Sequence, residues 1–237
     1  MRVLHGDFVE AAWSVLLAGL FDLFDGQLAR LTKGSSQFGI EYDSLTDLAS
    51  FGFAPAILIY MWALNDFKRL GWIISFVFFA CGALRLARFN VQAEEEEKSL
   101  FQGLPIPMAA YSLVTTVIFY ESQYRSHPHK NFWILGSTLL LSLLMVSTVR
   151  YRSLKEVHLT RRLSFFMLVA GAVSIALIAL KPNIMMWIVC WAYVAFGLLE
   201  ELFWLLRGGR KEENAVEKTD KKNSLAVINS DRWIEKK

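Results

Sequence analysis

Seven apolar stretches of bilayer length recur along the sequence and constrain the fold more than any other feature. A helix needs about twenty mostly apolar residues to cross roughly 30 Å of hydrocarbon. The stretches occupy residues 8–30, 40–64, 70–90, 104–122, 132–149, 163–180 and 184–206. We therefore predict an all-α, polytopic transmembrane helical bundle of about seven spans over residues 1–206. The polar, charged segment 207–237 is predicted to be a disordered cytoplasmic tail.

The lysines and arginines outside these spans predict the orientation of the bundle. Sixteen of them fall on the side of the loop around Gly34 and six on the opposite side. Short cytoplasmic loops carry the excess of basic residues in membrane proteins. We therefore expect the Gly34 loop and the C-terminus to face the cytoplasm from the inner cell membrane. An odd number of spans then places the N-terminus outside.

Four aspartates lie in the first two predicted spans, where an ionised group costs roughly 2.5–3.5 kcal/mol. Asp22 and Asp25 are three residues apart on one helix face, and Asp43 and Asp47 are four residues apart on the next helix. Two antiparallel helices can bring all four carboxylates together. Hard oxygen ligands suit Mg²⁺ or Mn²⁺, and a metal pair could clamp a phosphoryl transfer. The alternative interpretation is a set of solvated acids that merely mark the membrane interface.

Small residues and one arginine accompany these carboxylates. Gly26 and Gly39 remove side chains from the same two helix faces, so that a ligand or a neighbouring backbone can approach closely. Arg30 lies one turn after Gly26 and could pair with a phosphate or with Asp22 or Asp25. The two helices thus combine carboxylates, open backbone and one cation near one membrane surface.

The spacing of these residues resembles the complete signature of a known enzyme family, the CDP-alcohol phosphatidyltransferases. The matching pattern is Asp22-x2-Asp25-Gly26-x2-Ala29-Arg30-x8-Gly39-x3-Asp43-x3-Asp47. The stretches 38–45, 50–56, 82–90 and 103–107 are also similar to the bacterial-type phosphatidylserine synthases of this family. Family members usually carry another span before the signature helix, so the sequence as it stands is expected to lack the family's usual first helix.

The resemblance implies a reaction and a set of roles. The serine hydroxyl would attack the β-phosphorus of CDP-diacylglycerol, and CMP would leave. The implied ligands of Mg²⁺ or Mn²⁺, with two ions bound, are Asp22, Asp25, Asp43 and Asp47. Asp47 would also be the catalytic base that accepts the serine proton, and the implied CDP-binding residues are Gly26, Ala29, Arg30 and Gly39. The resemblance further suggests a homodimer in contact with membrane lipids.

Two arginines of the third span form a further hypothesis. Arg85 and Arg88 lie at its cytoplasmic end, level with the aspartates. We expect one of them to bind a substrate phosphate or the serine carboxylate. In the alternative interpretation, both arginines extend to lipid headgroups, as basic side chains at helix ends often do.

Two alternative functions stay open at this point. The signature does not itself choose the acceptor alcohol, so inositol or glycerol 3-phosphate could replace serine. An ion-coupled transporter would use intramembrane carboxylates differently, in two repeated halves near the bilayer midplane. All four aspartates instead cluster in one helix pair, which favours the enzyme. No nucleic-acid-binding motif is present.

Overall fold

A computed structural model describes residues 2–32, 37–94, 103–124, 127–147 and 181–206, and every regular element in those ranges is helical. A short 3-10 helix at Arg2–His5 precedes α1 (Phe8–Thr32) and α2 (Gln37–Asp47). The helical path continues through a π-helical segment (Leu48–Phe53), α3 (Ala54–Ile59), a second π-helical segment (Tyr60–Leu64) and a 3-10 turn (Asn65–Phe67). The remaining helices are α4 (Arg69–Glu94), α5 (Ile106–Tyr124), α6 (Phe132–Val146) and α7 (Pro182–Leu206). The all-α prediction is confirmed for this part of the chain.

Three of the predicted spans are long and apolar enough to cross a membrane: Glu41–Phe67, Arg69–Val91 and Pro182–Phe203. Phe132–Val146 is apolar but shorter, whereas α1 and α5 are not among the candidate spans that the described residues provide. The predicted span 163–180 lies outside the described residues. A membrane protein is therefore supported, but the count of seven spans is not confirmed.

The chain divides into two compact units, Met1–Val194 and Ala195–Lys237. The first unit holds the helices from α1 to α6 and the larger part of α7. In the second unit, the structure describes the last twelve residues of α7 as helix. The predicted tail, 207–237, lies outside the described residues, so the boundary at 206 stays a prediction.

Many large apolar side chains point away from the bundle of the first unit. Among them are Trp72, Phe76, Leu143 and Phe53, which are each more than half exposed. Monomeric water-soluble proteins rarely expose contiguous apolar surface of this kind. The outer surface of the helices therefore suits contact with lipid chains.

Helix α5 lies at the centre of the first unit and packs against α1, α3 and α6. Its inward face consists of fully buried aliphatic residues, among them Ile106, Leu113 and Ile118. Its buried hydroxyl groups donate to backbone carbonyls one turn earlier, as in the bond of 2.8 Å from Ser112 Oγ to the Met108 carbonyl. Because these hydroxyls find partners within their own helix, they can be buried without a large desolvation cost.

Pro55 accounts for the π-helical segment that follows Asp47. A proline inside a helix cannot donate a backbone hydrogen bond, and its ring crowds the carbonyl four residues earlier, here that of Phe51. Wider π-helical turns from Leu48 to Phe53 lie directly before it, and such turns relieve this kind of interruption. The helix thereby continues from Asp47 into the apolar core.

Glycines let the helices approach closely just below the aspartates. A Cβ atom on Gly82 of α4 would lie 2.7 Å from Ile106 Cδ1 and 3.9 Å from the Cα of Gly52. A Cβ atom on Gly52 would lie 2.9 Å from Leu48 Cδ1. Any larger residue at Gly82 must therefore displace Ile106. This close contact sets the distance of α4 from the segment that carries Asp47.

Candidate active site

The structure brings three of the four predicted carboxylates together where α1 and α2 meet. Asp47, at the end of α2, is half-buried and close enough to Asp22 of α1 for a side-chain hydrogen bond. Asp43 lies one turn before Asp47, is exposed, and interacts with it electrostatically. The spacing predicted this convergence, since residues three or four apart share a helix face.

Asp47 also has an atom with unused bonding capacity. Its Oδ1 is buried without a hydrogen-bond partner among the described atoms. A buried carboxylate oxygen without a partner is costly, so such an atom needs a proton or a cation. Carboxylates are the ligands that Mg²⁺ and Mn²⁺ prefer, so the chemistry of Asp47 Oδ1 suits a ligand of a hard divalent ion. Within the described part of the chain, no group of three or more His, Cys, Asp or Glu side chains is arranged to hold a metal.

Several predicted site residues are only partly described. Asp25, Gly26, Ala29 and Arg30 belong to α1, but their side chains lie outside the described residues. Gly39 is exposed in the first turn of α2, four residues before Asp43. Their roles as metal ligand and CDP-binding residues stay predictions.

The structure separates the two arginines of α4. Arg85 interacts electrostatically with Asp47 and with Tyr193 of α7, and its Nε is buried without a hydrogen-bond partner among the described atoms. Its guanidinium carbon lies 5.8 Å from the ring centroid of Phe89. Arg85 therefore faces the aspartates and keeps a donor available.

Arg88 contacts a different part of the bundle. Its Nη1 donates to the backbone carbonyl of Val146, at 3.3 Å, at the end of α6. The last carbonyls of a helix lack partners within the helix and favour a nearby cation. Val146 thus provides a structural partner for Arg88 that the sequence pattern did not indicate.

A polar pair joins α2 to the end of α4 beside the site. Asn90 Nδ2 donates to Ser44 Oγ at 2.9 Å, and Ser44 Oγ lies 3.3 Å from Asn90 Oδ1. Ser44 follows Asp43 directly, so the pair holds the aspartate-bearing helix against the helix that carries Arg85. The prediction that the end of α4 lies level with the aspartates agrees with this contact.

One residue near the carboxylates was missed by the sequence analysis. Tyr111 of α5 interacts electrostatically with Asp22 and Asp47. Its hydroxyl lies so close to Gly19 that a Cβ atom there would overlap it, and its ring packs edge-on against Phe51 with centroids 5.8 Å apart. An aromatic residue in an apolar span normally indicates packing, so the local sequence carried no signal of this position.

The comparison with known proteins agrees with this geometry. Residues 1–149 match the family model described as CDP-alcohol phosphatidyltransferase. The chain belongs to this family. The matched region contains both aspartate-bearing helices, α4 with its two arginines, and Tyr111 of α5.

Individual relatives from bacteria and archaea are similar over most of the chain. A Helicobacter pylori protein named CDP-diacylglycerol–serine O-phosphatidyltransferase is 34% identical over 200 residues, which cover 84% of this chain and 83% of the relative. A Methanocaldococcus jannaschii protein of the same name is 33% identical over 78% of this chain and 81% of the relative. An archaetidylserine synthase of Methanothermobacter thermautotrophicus is 40% identical over 62% of this chain and 60% of the relative.

Proposed function

We propose that this protein synthesises phosphatidylserine by transferring the phosphatidyl group of CDP-diacylglycerol to the hydroxyl of L-serine, with release of CMP. The observation that carries the proposal is the meeting of Asp22, Asp43 and Asp47 with Arg85 in a chain of this family. Serine is favoured as the acceptor because it appears in the names of relatives with two different lipid products.

The proposed reaction assigns a proton acceptor to the site. A bond forms between the serine Oγ and the β-phosphorus while the bond from that phosphorus to the bridging oxygen of the diphosphate breaks. The electron pair of the broken bond leaves with CMP, and the serine proton passes to Asp47. A carboxylate within reach of the attacking hydroxyl can accept its proton as a general base.

A divalent metal would neutralise the phosphates that this reaction brings together. We infer that Asp22, Asp25, Asp43 and Asp47 hold Mg²⁺ or Mn²⁺, with two ions in the complete site. Bound ions of this kind stabilise the charge on the attacking and leaving oxygens. The buried Asp47 Oδ1 without a hydrogen-bond partner supports this assignment.

Among the basic residues, Arg85 is the better candidate for the substrate anion. It faces Asp47 and has a buried Nε without a described partner, whereas Arg88 donates to the end of α6. An arginine can bind a phosphate or a carboxylate through two parallel hydrogen bonds. The proposed CDP subsite is completed by Gly26, Ala29, Arg30 and Gly39.

The soluble and lipid substrates together require a site at a membrane surface. CMP and serine are polar, whereas diacylglycerol stays in the bilayer. We therefore propose that the site opens to the cytoplasm and the inner leaflet, with the C-terminus also cytoplasmic. A homodimer is proposed from the family resemblance alone. Membership of this enzyme family decides against the ion-coupled transporter.

The decisive experiment is release of CMP from CDP-diacylglycerol in detergent with Mg²⁺ or Mn²⁺, with serine, inositol or glycerol 3-phosphate offered singly. We expect release with serine, and loss of at least about 100-fold in Asp47→Asn, in the range of general-base contributions. Asp66→Asn is the matched control, because Asp66 lies nineteen residues further along the helical path and contacts His129 at 3.2 Å. Release with another alcohol would overturn the choice of serine, and no release with any acceptor would refute the enzyme.

A second experiment tests the assignment of the arginines. Arg85→Ala should raise the KM of serine or of CDP-diacylglycerol at least tenfold, since a charged hydrogen bond is lost. Arg88→Ala should change these values less and lower the melting temperature instead. The opposite pattern would assign substrate binding to Arg88.

A further inference from the structure

Helix α2 carries two of the candidate metal ligands but has little apolar packing to hold it in place. Its large apolar side chains Phe38, Tyr42 and Leu45 are each more than half exposed. Its main neighbour is the π-helical segment that directly continues the same helical path. Because burial of an apolar face normally fixes a helix against its neighbours, the position of α2 depends on its few other contacts.

One of those contacts is a polar pair between Ser44 of α2 and Asn90 of α4. Among the α2 residues whose burial is described, only Ser44 and Asp47 are partly buried. Asn90 Nδ2 donates to Ser44 Oγ at 2.9 Å, and the same oxygen lies 3.3 Å from Asn90 Oδ1. A hydroxyl can donate and accept at once, so the amide group can hold it from both sides.

The asparagine belongs to a helix that is itself firmly placed. Helix α4 packs along α6 and buries Phe78 and Leu86. Two residues before Asn90, Arg88 donates to the backbone carbonyl of Val146 at the end of α6. Asn90 therefore offers α2 a fixed point on the rest of the bundle.

Repulsion between the carboxylates acts against their convergence. Asp47 interacts with Asp43 on its own helix and with Asp22 of α1, and like charges repel until a cation neutralises them. Ser44 directly follows Asp43 and lies three residues before Asp47, so a contact at Ser44 holds both carboxylates through the helix backbone. A neutral hydrogen bond can oppose the repulsion without competing for the metal.

Building on the proposed function, we propose that Asn90 is a positioning residue that holds α2, through Ser44, where its aspartates bind the divalent ion. Asn90 contacts neither the metal nor the substrate. A site that is already ordered loses less free energy to ordering when its ligand binds. Loss of the hydrogen bond should therefore weaken metal binding, and CMP release should fall when the metal is limiting.

The first test measures Mn²⁺ binding to the purified protein from the loss of the electron paramagnetic resonance signal of the free ion. Asn90→Ala and Ser44→Ala should each raise the Mn²⁺ dissociation constant about 2- to 10-fold, the effect of one neutral hydrogen bond. Ser44→Ala is the smaller change and decides the matter if Asn90→Ala folds poorly. Unchanged Mn²⁺ binding in these variants would overturn the positioning role.

Asn65→Ala is the matched control. Asn65 Oδ1 accepts a hydrogen bond of 3.2 Å from the Tyr60 hydroxyl, and it lies eighteen residues beyond Asp47 on the same helical path. This variant also removes an asparagine hydrogen bond, but its Mn²⁺ dissociation constant should match that of the wild type. An equal loss of Mn²⁺ binding in Asn65→Ala would show a general loss of stability and contradict the proposal.

The double variant tests whether the two residues act as one unit. In the Asn90→Ala background, Ser44→Ala should raise the Mn²⁺ dissociation constant by less than about twofold, because both changes remove the same contact. Two losses that simply multiply would refute the pair.

Kinetics separate positioning from direct contact with the substrate. In both single variants, CMP release should fall at limiting Mn²⁺ and recover toward the wild-type rate at saturating Mn²⁺, while the KM of serine stays within about twofold. A raised KM of serine with unchanged Mn²⁺ binding would make Asn90 a substrate contact instead.

This proposal and the proposed function can fail separately. If the wild type binds Mn²⁺ but shows no serine-dependent release, the proposed function fails, and the dissociation constants of the variants still decide the role of Asn90. If the wild type releases CMP with serine but binds no Mn²⁺, the enzyme stands and the role of Asn90 is refuted.

Discussion

Gly82→Ala should disturb the packing that holds α4 beside the candidate site. The new Cβ would lie 2.7 Å from Ile106 Cδ1, and Ile106 is only 1% exposed, so its methyl group cannot move into solvent. Overpacking of this kind costs about 1–3 kcal/mol. Replacing a helical glycine by alanine returns up to about 1 kcal/mol. We therefore expect a net loss of up to about 2 kcal/mol.

The packing contribution can be isolated with a second substitution. Ile106→Val removes Cδ1 and leaves Cγ1, which would lie 3.5 Å from the new Cβ, an ordinary van der Waals contact. In the wild type this change should cost about 0.5–1.5 kcal/mol. In the Gly82→Ala background, Ile106→Val should cost less stability or should stabilise the protein. Helix propensity cancels in the double-mutant cycle, which should leave a coupling free energy of about 1–3 kcal/mol.

The assay is thermal unfolding of the four proteins purified in one detergent. For a chain of this size, 1 kcal/mol corresponds to about 2–4 °C, so the coupling should appear as roughly 2–12 °C. Gly136→Ala is the control, because no atom lies within 4 Å of a Cβ there, and its melting temperature should stay or rise slightly. Release of CMP should fall in Gly82→Ala and recover with Ile106→Val, since Gly82 lies one turn before Arg85. Melting shifts that simply add would refute the contact between Gly82 and Ile106.

Three further outcomes are expected. Gly71→Ala should lower the stability by about 3 kcal/mol, because its Cβ would overlap the backbone carbonyl of Leu64; an unchanged melting temperature would contradict this tight turn. The indole N–H groups of Trp187 and Trp191 donate to Thr116 Oγ1 at 3.1 and 3.0 Å. Thr116→Val should therefore lower the free energy of unfolding by about 1–3 kcal/mol for each donor left unpaired. Thr116→Ser keeps the acceptor oxygen and should retain most of the stability. Chelation of divalent ions should abolish CMP release, and added Mg²⁺ or Mn²⁺ should restore it; activity that persists in excess chelator would argue against the metal.

The helices themselves could largely be predicted from local pattern. Apolar runs of bilayer length located the six long helical stretches that the structure describes, because the hydrophobic requirement of a span is written continuously along the chain. The number of membrane spans was harder to predict than the positions of the helices. Helix α5 carries several hydroxyl groups whose partners lie in the same helix, as with Ser112. Only the structure shows that this helix forms the centre of the first unit.

The sequence by itself determined the family and the convergence of Asp22, Asp43 and Asp47, because helical spacing and a short connection suffice to bring such residues together. Tertiary structure decided which arginine faces them and added Tyr111 to the same place. These assignments depend on how α4 and α5 are rotated against α1 and α2. Helix rotation is set by side-chain interlocking between segments far apart in the chain, such as Ile106 between Gly52 and Gly82, and no local pattern records it.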